Sequence, residues 1–337
     1  MNKKLAAAIR YLVFAGIAVA LIWFIFRDQD IDELLAAANK INYWWIALSM
    51  LVSVPGYIIR GARWNLLLKG LGYNPSLLNA TKAVSMGYLF NLAFPRLGEV
   101  TRCTVLNRQE KIPLNTLIGT VVAERAIDVL CLLLIIFFVV LAGAEMLGKH
   151  LNNLLIVPLQ HKLSQLANNH ILIIILLLGA IAALVVLRIL IRRSKFGEKI
   201  KGFIGDFTTG ITSVFRMKKQ GRFWLLTVLL WCVYFFMMYV CYFGIPELLK
   251  LSFIDSLFVF VLGSLGMAAP TPGGAGTYEL TATAGFTLVG VAAQDGLVMV
   301  TVFHISQILT SIILGIISLL TLSKSKKPDG QAGPVTK

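Results

Sequence analysis

The sequence predicts an all-α polytopic membrane protein with about six full transmembrane helices and two inverted re-entrant helical hairpins. Three observations carry this reading. Of 337 residues, 58% are hydrophobic and only 14% charged, and the mean hydropathy is +0.81, which leaves too little polar surface for a soluble globule of this length. Apolar windows near the ~20 residues needed to cross about 30 Å of hydrocarbon recur along the whole chain. Finally, two short stretches interrupt apolar runs in opposite halves: Ala93-Phe94-Pro95-Arg96-Leu97-Gly98-Glu99 and Ala269-Pro270-Thr271-Pro272-Gly273-Gly274-Ala275-Gly276-Thr277-Tyr278-Glu279. Helix breakers at membrane depth free backbone N–H and C=O groups that hydrocarbon cannot satisfy, so they persist only inside protein or along a polar cavity. A pair of them in corresponding positions points to a transport site.

From the N-terminus, Leu5–Phe26 follows Lys3 and Lys4. Its apolar run is too long for the core of a signal peptide, and Arg27-Asp28-Gln29-Asp30 offers no small-residue cleavage pattern, so an uncleaved first span is expected. Asp28 to Asn42 carries Ile31, Leu34, Leu35, Ala38 and Ile41 at helical spacing and reads as an interfacial helix lying on the bilayer. Tyr43–Leu68 is the second span, and Leu77–Phe94 runs into the first broken motif. Leu114–Ala142 is the third span; Leu151–Leu166 is weakly amphipathic; His170–Ile191 is the fourth span. The basic loop Arg192–Arg222 carries Phe203, Phe207, Ile211, Val214 and Phe215 as a second amphipathic segment. Phe223–Phe243 is the fifth span, Leu251–Ala269 leads into the second broken motif, and Leu297–Leu322 is the sixth span. Residues 1–322 thus form a single membrane domain. The basic tail 323–337, rich in Lys, Pro and Gly, is expected to be disordered and cytoplasmic.

Charge fixes the expected topology. The Arg192–Arg222 loop holds nine basic residues against Glu198 and Asp206, a net of +7, which belongs on the cytoplasmic side. Eight full crossings, the alternative architecture, would put that loop outside. The conflict disappears if Leu77 to Pro113 dips in from the cytoplasm and returns, keeping Arg102, Arg108 and Lys111 inside, and if Leu251 to Ala293 does the same from the outer face. Both termini are then cytoplasmic, with the acidic Asp28, Asp30, Asp32 and Glu33 outside. Trp23, Tyr43, Trp44 and Trp45 fall at the outer interface, Trp64 and Trp224 at the inner one. Arg60 and Arg63 are expected to snorkel to the inner interface or to line its entrance. The formal charge of +15 is accounted for by such cytoplasmic loops, and nucleic-acid binding is not expected. Cys103, Cys131, Cys232 and Cys241 show no metal-ligand spacing and read as structural thiols.

In the first motif, Arg96 and Arg102 flank Glu99 near a chain reversal. Their planar, bidentate donors suit phosphate, and a helix beginning after Pro95 would add free N–H groups. The competing reading is that Arg96 merely neutralises Glu99 and that Arg102 anchors the inner face. Glu124 and Asp128, at i and i+4, share a face of the third span, with Arg125 between them; charges this deep must be paired or hydrated. A functional role and a structural pairing with Arg96 or Arg102 predict the same contact. In the second motif Pro270 and Pro272 end a helix, Gly273, Gly274 and Gly276 permit positive φ or close approach, and Glu279 opens the returning helix. Glu279 would counter a cationic head group or carry a proton, unless it only caps the helix. His304 and Gln307 share a face of the last span, where a histidine is most often a hydrogen-bonded packing element. There is no H-E-x-x-H, no G-x-S-x-G and no phosphate-binding loop, so no catalytic residue, metal or cofactor is assigned.

The succession Pro95-Arg96-Leu97-Gly98-Glu99 with Arg102, then Glu124-Arg125 with Asp128, then Pro270-Thr271-Pro272-Gly273-Gly274-Ala275-Gly276 with Glu279, resembles the lysylphosphatidylglycerol synthase transmembrane-region family. These are the flippase-like membrane domains of the multiple peptide resistance factor and of many stand-alone bacterial proteins. The likeness covers essentially the whole chain. It implies a cytoplasmic-membrane protein that moves a phospholipid, with an anionic or aminoacylated head group, or a lipid-linked head group between leaflets. Arg96, Glu99, Arg102, Glu124, Arg125, Asp128, Pro270, Pro272, Gly273, Gly274, Gly276 and Glu279 are then its substrate-contacting residues. The two-domain relatives carry a soluble domain that attaches an amino acid to phosphatidylglycerol; this chain ends soon after its last span, so that activity is not expected. Movement would be downhill or ion-coupled. Other readings are a membrane enzyme acting on lipid head groups and a non-transporting scaffold for a lipid-modifying enzyme; a homodimer and such an enzyme are the protein partners to expect.

Overall fold

The computed structural model describes residues 31–142 and 219–323, together with positions 16, 19, 20, 22–24 and 27. The expected spans Leu5–Phe26 (but for those positions) and His170–Ile191, the amphipathic segments Leu151–Leu166 and Phe203–Phe215, and the tail beyond Ser323 lie outside the described residues. Within them every regular element is helical: α1 (Ile31–Asn39), α2 (Tyr43–Gly70), α3 (Leu77–Ala93), α4 (Leu97–Glu110), α5 (Leu114–Ala142), α6 (Gln220–Tyr239), α7 (Phe253–Ala268), α8 (Thr277–Leu288) and α9 (Ala293–Ser323). Short 3₁₀ turns follow α6 and join α7 to α8.

Among the described residues four helices are long and apolar enough to cross a membrane: Tyr43–Gly70, Leu114–Ala142, Gln220–Gly244 and Ala293–Leu322. Their outer faces stay apolar and exposed, as Leu133, Leu134, Phe137 and Phe138 on α5 and Ile313, Ile316, Ile317 and Leu320 on α9 illustrate. Away from the helix ends, polar and charged side chains such as Ser49, Arg60, Arg63, Glu124, Thr227 and Ser306 are buried. That distribution makes sense only in a hydrocarbon solvent.

Local chemistry sets the helix ends. Asn42 caps α2 by accepting the Trp44 N–H at 3.1 Å, and Ser252 and Asp255 form a reciprocal capping box at the start of α7. α4 stops where Lys111 turns left-handed at φ 57°, and Asn107 Nδ2 donates to the Ile112 carbonyl at 2.7 Å before Pro113 starts α5. Antiparallel packing then sets register. The Gly244 carbonyl accepts the Asn42 N–H at 3.0 Å, bringing the end of α6 to the start of α2. At the other end of α2, Leu66 and Leu67 pack with Phe223 of α6, and Leu68 with Leu117 of α5.

α3 and α4 make one hairpin, α7 and α8 another. The first opens at the Gly70 end of α2, where Glu110 Oε1 accepts the Ser76 N–H at 3.0 Å and Asn79 Nδ2 at 2.6 Å. The second opens at the Tyr43 end, where Phe286 and Val291 join Tyr242, Ile41 and Ile46 in one apolar cluster. The two therefore enter from opposite ends of the bundle and their tips abut: a Cβ on Gly273 would lie 3.0 Å from Leu92. In the first hairpin the backbones touch, since a Cβ on Gly98 would collide with the Gly87 carbonyl oxygen, so only glycine fits. α1 forms as expected, but Leu34, Ala37, Ala38 and the buried Ile41 pack onto the protein core rather than the helix simply lying on a bilayer.

Candidate functional site

Arg60, Arg63 and Trp64 lie on one face of α2, and Thr120, Glu124 and Asp128 recur at i, i+4 and i+8 on the facing side of α5. The antiparallel crossing brings them level. Trp64 donates its indole N–H to Thr120 Oγ1 at 2.9 Å. Arg63 Nη2 sits 2.9 Å from Glu124 Oε1 and 2.6 Å from Asp128 Oδ1. Arg60 contacts Glu124 through Nε at 3.1 Å and Asp128 through Nη2 at 3.2 Å, and its Nη1 donates to the hydroxyls of Tyr88 and Tyr234, both at 2.7 Å. From α4, Arg102 Nη2 reaches Glu124 Oε2 at 2.8 Å while its guanidinium lies over the Trp64 ring, 4.8 Å from the centroid. Arg125 is 3.3 Å from Asp128 and 3.7 Å from Glu99.

The cluster thus has four guanidiniums (Arg60, Arg63, Arg102, Arg125) and three carboxylates (Glu99, Glu124, Asp128), an excess of one positive charge. Arg63 and Glu124 are completely buried. Nitrogen atoms of three arginines remain without a hydrogen-bond partner: Nε and Nη1 of Arg63, Nε of Arg102 and Nε of Arg125. Unpartnered buried donors beside a surplus positive charge are groups that an anion would satisfy. A cleft of about 50 Å³ opens onto this cluster, lined by Arg60, Gly87, Asn91, Glu99, Arg102 and Arg125 among others. That is space for a few water molecules or a small anionic group.

Of the residues picked from sequence, Glu99, Arg102, Glu124, Arg125 and Asp128 come together here. The pairing of Glu124 is with Arg102, one of the two partners expected. Arg96 stands apart: exposed at the hairpin tip, it makes no ion pair among the described residues and holds a left-handed φ of 63°, a conformation costing an L-residue roughly 1–2 kcal/mol. The free N–H groups expected after Pro95 are partly engaged, because the Gly98 N–H donates to Asn91 Oδ1 at 2.8 Å. Three expectations are corrected. Arg60 and Arg63 do not snorkel to an interface but are buried at the cluster's centre, since guanidiniums facing Glu124 and Asp128 are better compensated there than at a helix end. Trp64 is likewise fully buried rather than interfacial. The signal that would have found the arginines is two cations at i and i+3 on one apolar helix matching two carboxylates at i and i+4 on another.

The second motif builds a separate polar centre. Gly273, Gly274 and Gly276 adopt φ of 61°, 85° and 78°, which residues with a Cβ rarely do. Pro272 and the glycines form a one-turn 3₁₀ bridge, and Thr277 Oγ1 donates to the freed Gly266 carbonyl at 2.9 Å. Glu279 Oε2 accepts the Gly276 N–H at 2.8 Å. His304 of α9 closes the centre, Nδ1 lying 2.5 Å from Glu279 Oε1 and Nε2 2.9 Å from the Gly273 carbonyl. His304 is thus the buried, hydrogen-bonded histidine expected of an apolar helix, tied on both ring nitrogens. Gln307, on the same face, donates to Ser49 Oγ of α2 at 3.2 Å.

The profile of the family described as Lysylphosphatidylglycerol synthase TM region matches residues 8–315. Among curated proteins, a UPF0104 membrane protein of Methanocaldococcus jannaschii is 29% identical over 113 residues, covering 33% of this chain and 34% of that protein. Glycosyltransferase AglD of Haloferax volcanii is 25% identical over 124 residues, 36% of this chain and 20% of the relative. The matched regions thus span about a third and a fifth of those relatives' lengths. No solved structure matches the chain.

Proposed function

The chain belongs to the lysylphosphatidylglycerol synthase transmembrane-region family, and from that premise and its buried arginine cluster we propose that it is a lipid transporter, moving an anionic phospholipid or a lipid-linked phosphate head group between leaflets without ATP. The observation that carries this is the cleft beside four guanidiniums and three carboxylates, with unpartnered donors on Arg102 and Arg125. In this reading α3/α4 and α7/α8 are re-entrant hairpins, inverted with respect to each other, in the cytoplasmic membrane. Each hairpin helix has at most 17 residues, or about 25 Å at 1.5 Å per residue, short of the roughly 30 Å of hydrocarbon. A head-group phosphate would enter the cleft past Arg125, which is 40% exposed at its side chain, and settle between Arg102 and Arg60. The exposed Arg96 would meet it at the hairpin tip. A lipid-linked saccharide is a second cargo to try, because one relative carries a glycosyltransferase's name. An enzymatic role fits less well, since Glu124 and Asp128 are already occupied by arginines.

The test is reconstitution into phosphatidylcholine vesicles with fluorescent phosphatidylglycerol, following its disappearance from the outer leaflet. Losing one charge-assisted contact costs roughly 1.5–3 kcal/mol, so Arg102→Ala and the more exposed Arg125→Ala are expected to slow movement about 10- to 100-fold while Arg125→Ala keeps its melting temperature. Equal rates in wild type and Arg125→Ala, or none in the wild type, would reject the proposal.

A further inference from the structure

The Glu279–His304 pair lies outside the arginine cluster and the proposed binding of lipid does not use it. Both residues are buried. Their hydrogen bonds fix a proton count. The Gly273 carbonyl can only accept, so Nε2 of His304 carries a hydrogen. Nδ1 then faces Glu279 Oε1 at 2.5 Å. If the imidazole were neutral and the carboxylate ionised, two lone pairs would oppose each other at that separation in a buried site. One proton must lie between them, as imidazolium with carboxylate or as neutral imidazole with carboxylic acid. Either description holds the same single extra proton.

We propose that Glu279 and His304 form a proton-binding site that couples lipid movement to a proton; the coupling rests on the transporter reading above. With the proton bound, His304 ties the unwound Pro270–Gly276 loop to α9 through Gly273 and Glu279. With it lost, the facing lone pairs repel and release the loop. Gly273 is also the point that touches Leu92 of the other hairpin, one residue from Asn91 in the lipid cleft. Proton occupancy therefore bears on how the two tips meet. Each transport cycle would take one proton onto the pair from one compartment and give it up to the other.

Few charged or titratable groups face the pair from the neighbouring elements. On α8, the Tyr278 ring lies tilted beside His304 with centroids 5.0 Å apart; on α2, Tyr57 is bonded to Ser311 at 2.9 Å. Cys241 and Tyr242, in the 3₁₀ turn after α6, share a buried cluster with Tyr278. α7 contributes Asp255, engaged at its own cap, and at the α3 tip the apolar Leu92 faces Gly273. On α9 itself Asp295 lies nine positions, roughly 13 Å, away along the helix. Among the described residues no other ion pair reaches Glu279 or His304.

The full chain in lipid nanodiscs, labelled with ¹⁵N-histidine, tests the site without any substrate. From mildly acid to mildly alkaline pH, one of two signals is expected: a protonated Nδ1 on His304, assigned by its loss in His304→Gln, or a protonated carboxyl band in the infrared, assigned by its loss in Glu279→Gln. Absence of both at every pH overturns the proposal. Coupling is read in the vesicles described above with a one-unit pH difference and the membrane potential clamped. One proton per lipid permits about a tenfold bias between leaflets, expected in the wild type and lost in His304→Gln. Wild-type movement without bias overturns the coupling while the transporter stands; no movement at all, with the proton signal present, overturns the transporter and the coupling with it.

Discussion

At the scale of single residues the deciding fact is how completely Glu124 is compensated. Its two oxygens lie within 3.1 Å of nitrogens from Arg60, Arg63 and Arg102, on two different helices. Removing that charge would leave Arg63, itself without exposed surface, opposite Asp128 alone, and the other two arginines short of an acceptor. Breaking a buried ion pair in this way costs about 3–5 kcal/mol. Glu124→Gln is therefore expected to lower the thermal unfolding midpoint in detergent sharply. Glu99 lies on the cleft edge, 36% exposed and 3.7 Å from Arg125, a geometry worth at most about 1 kcal/mol. Glu99→Gln should leave the midpoint nearly unchanged. Equal losses for the two variants would mean that the cluster does not hold the bundle together.

At the scale of the element, each hairpin solves a different problem with glycine. In the α3/α4 pair the helices approach to backbone contact near the tip. It holds because the Gly87 and Gly98 backbones touch, with Asn91 accepting the Gly98 N–H to bind the turn to the helix before it. The α7/α8 pair packs side chains, Tyr278 against Gly263 and Val259 against Gly285, brings Gly266 against the Thr277 carbonyl, and uses Gly273, Gly274 and Gly276 for the left-handed loop. The first arrangement leaves no tolerance, because the atom in the way belongs to backbone. Gly98→Ala is expected to destabilise by about 1–3 kcal/mol and to open the cleft beside Arg102. Gly119→Ala on α5, where nothing lies within 4 Å, is the control; added helix propensity makes it neutral or up to about 1 kcal/mol stabilising. Thermal midpoints of the two variants in the same detergent decide, and a Gly98→Ala protein as stable as the control would show that the backbones do not touch.

At the scale of the molecule, what could be read from sequence follows from what is local. Pro95, Pro270, Pro272 and the glycines act on their own backbone, so both breaks and the helices around them were legible; the third expected span, Leu114–Ala142, matches α5 end to end. Glu124 and Asp128 were legible because charge in the middle of an apolar run demands partners. The level at which neighbouring helices cross was not legible. Arg63 lies only seven positions from the end of α2, about 10 Å, a distance that suits an interfacial anchor equally well until α5 is placed beside it. His304, 25 positions from Glu279, was hidden for the same reason. The opposite entry of the two hairpins is the global counterpart of these crossings. It implies a sidedness that neither charge counting nor packing supplies alone. With the four native cysteines replaced, a cysteine at Lys111, at the mouth of the first hairpin, should react with impermeant maleimide only from the cytoplasmic face of spheroplast-derived vesicles. One at Lys250, exposed at the mouth of the second, should react only from the outer face. If both are labelled from the same side, the hairpins share a face, the tips cannot meet from opposite leaflets, and the inverted arrangement of the two hairpins is wrong.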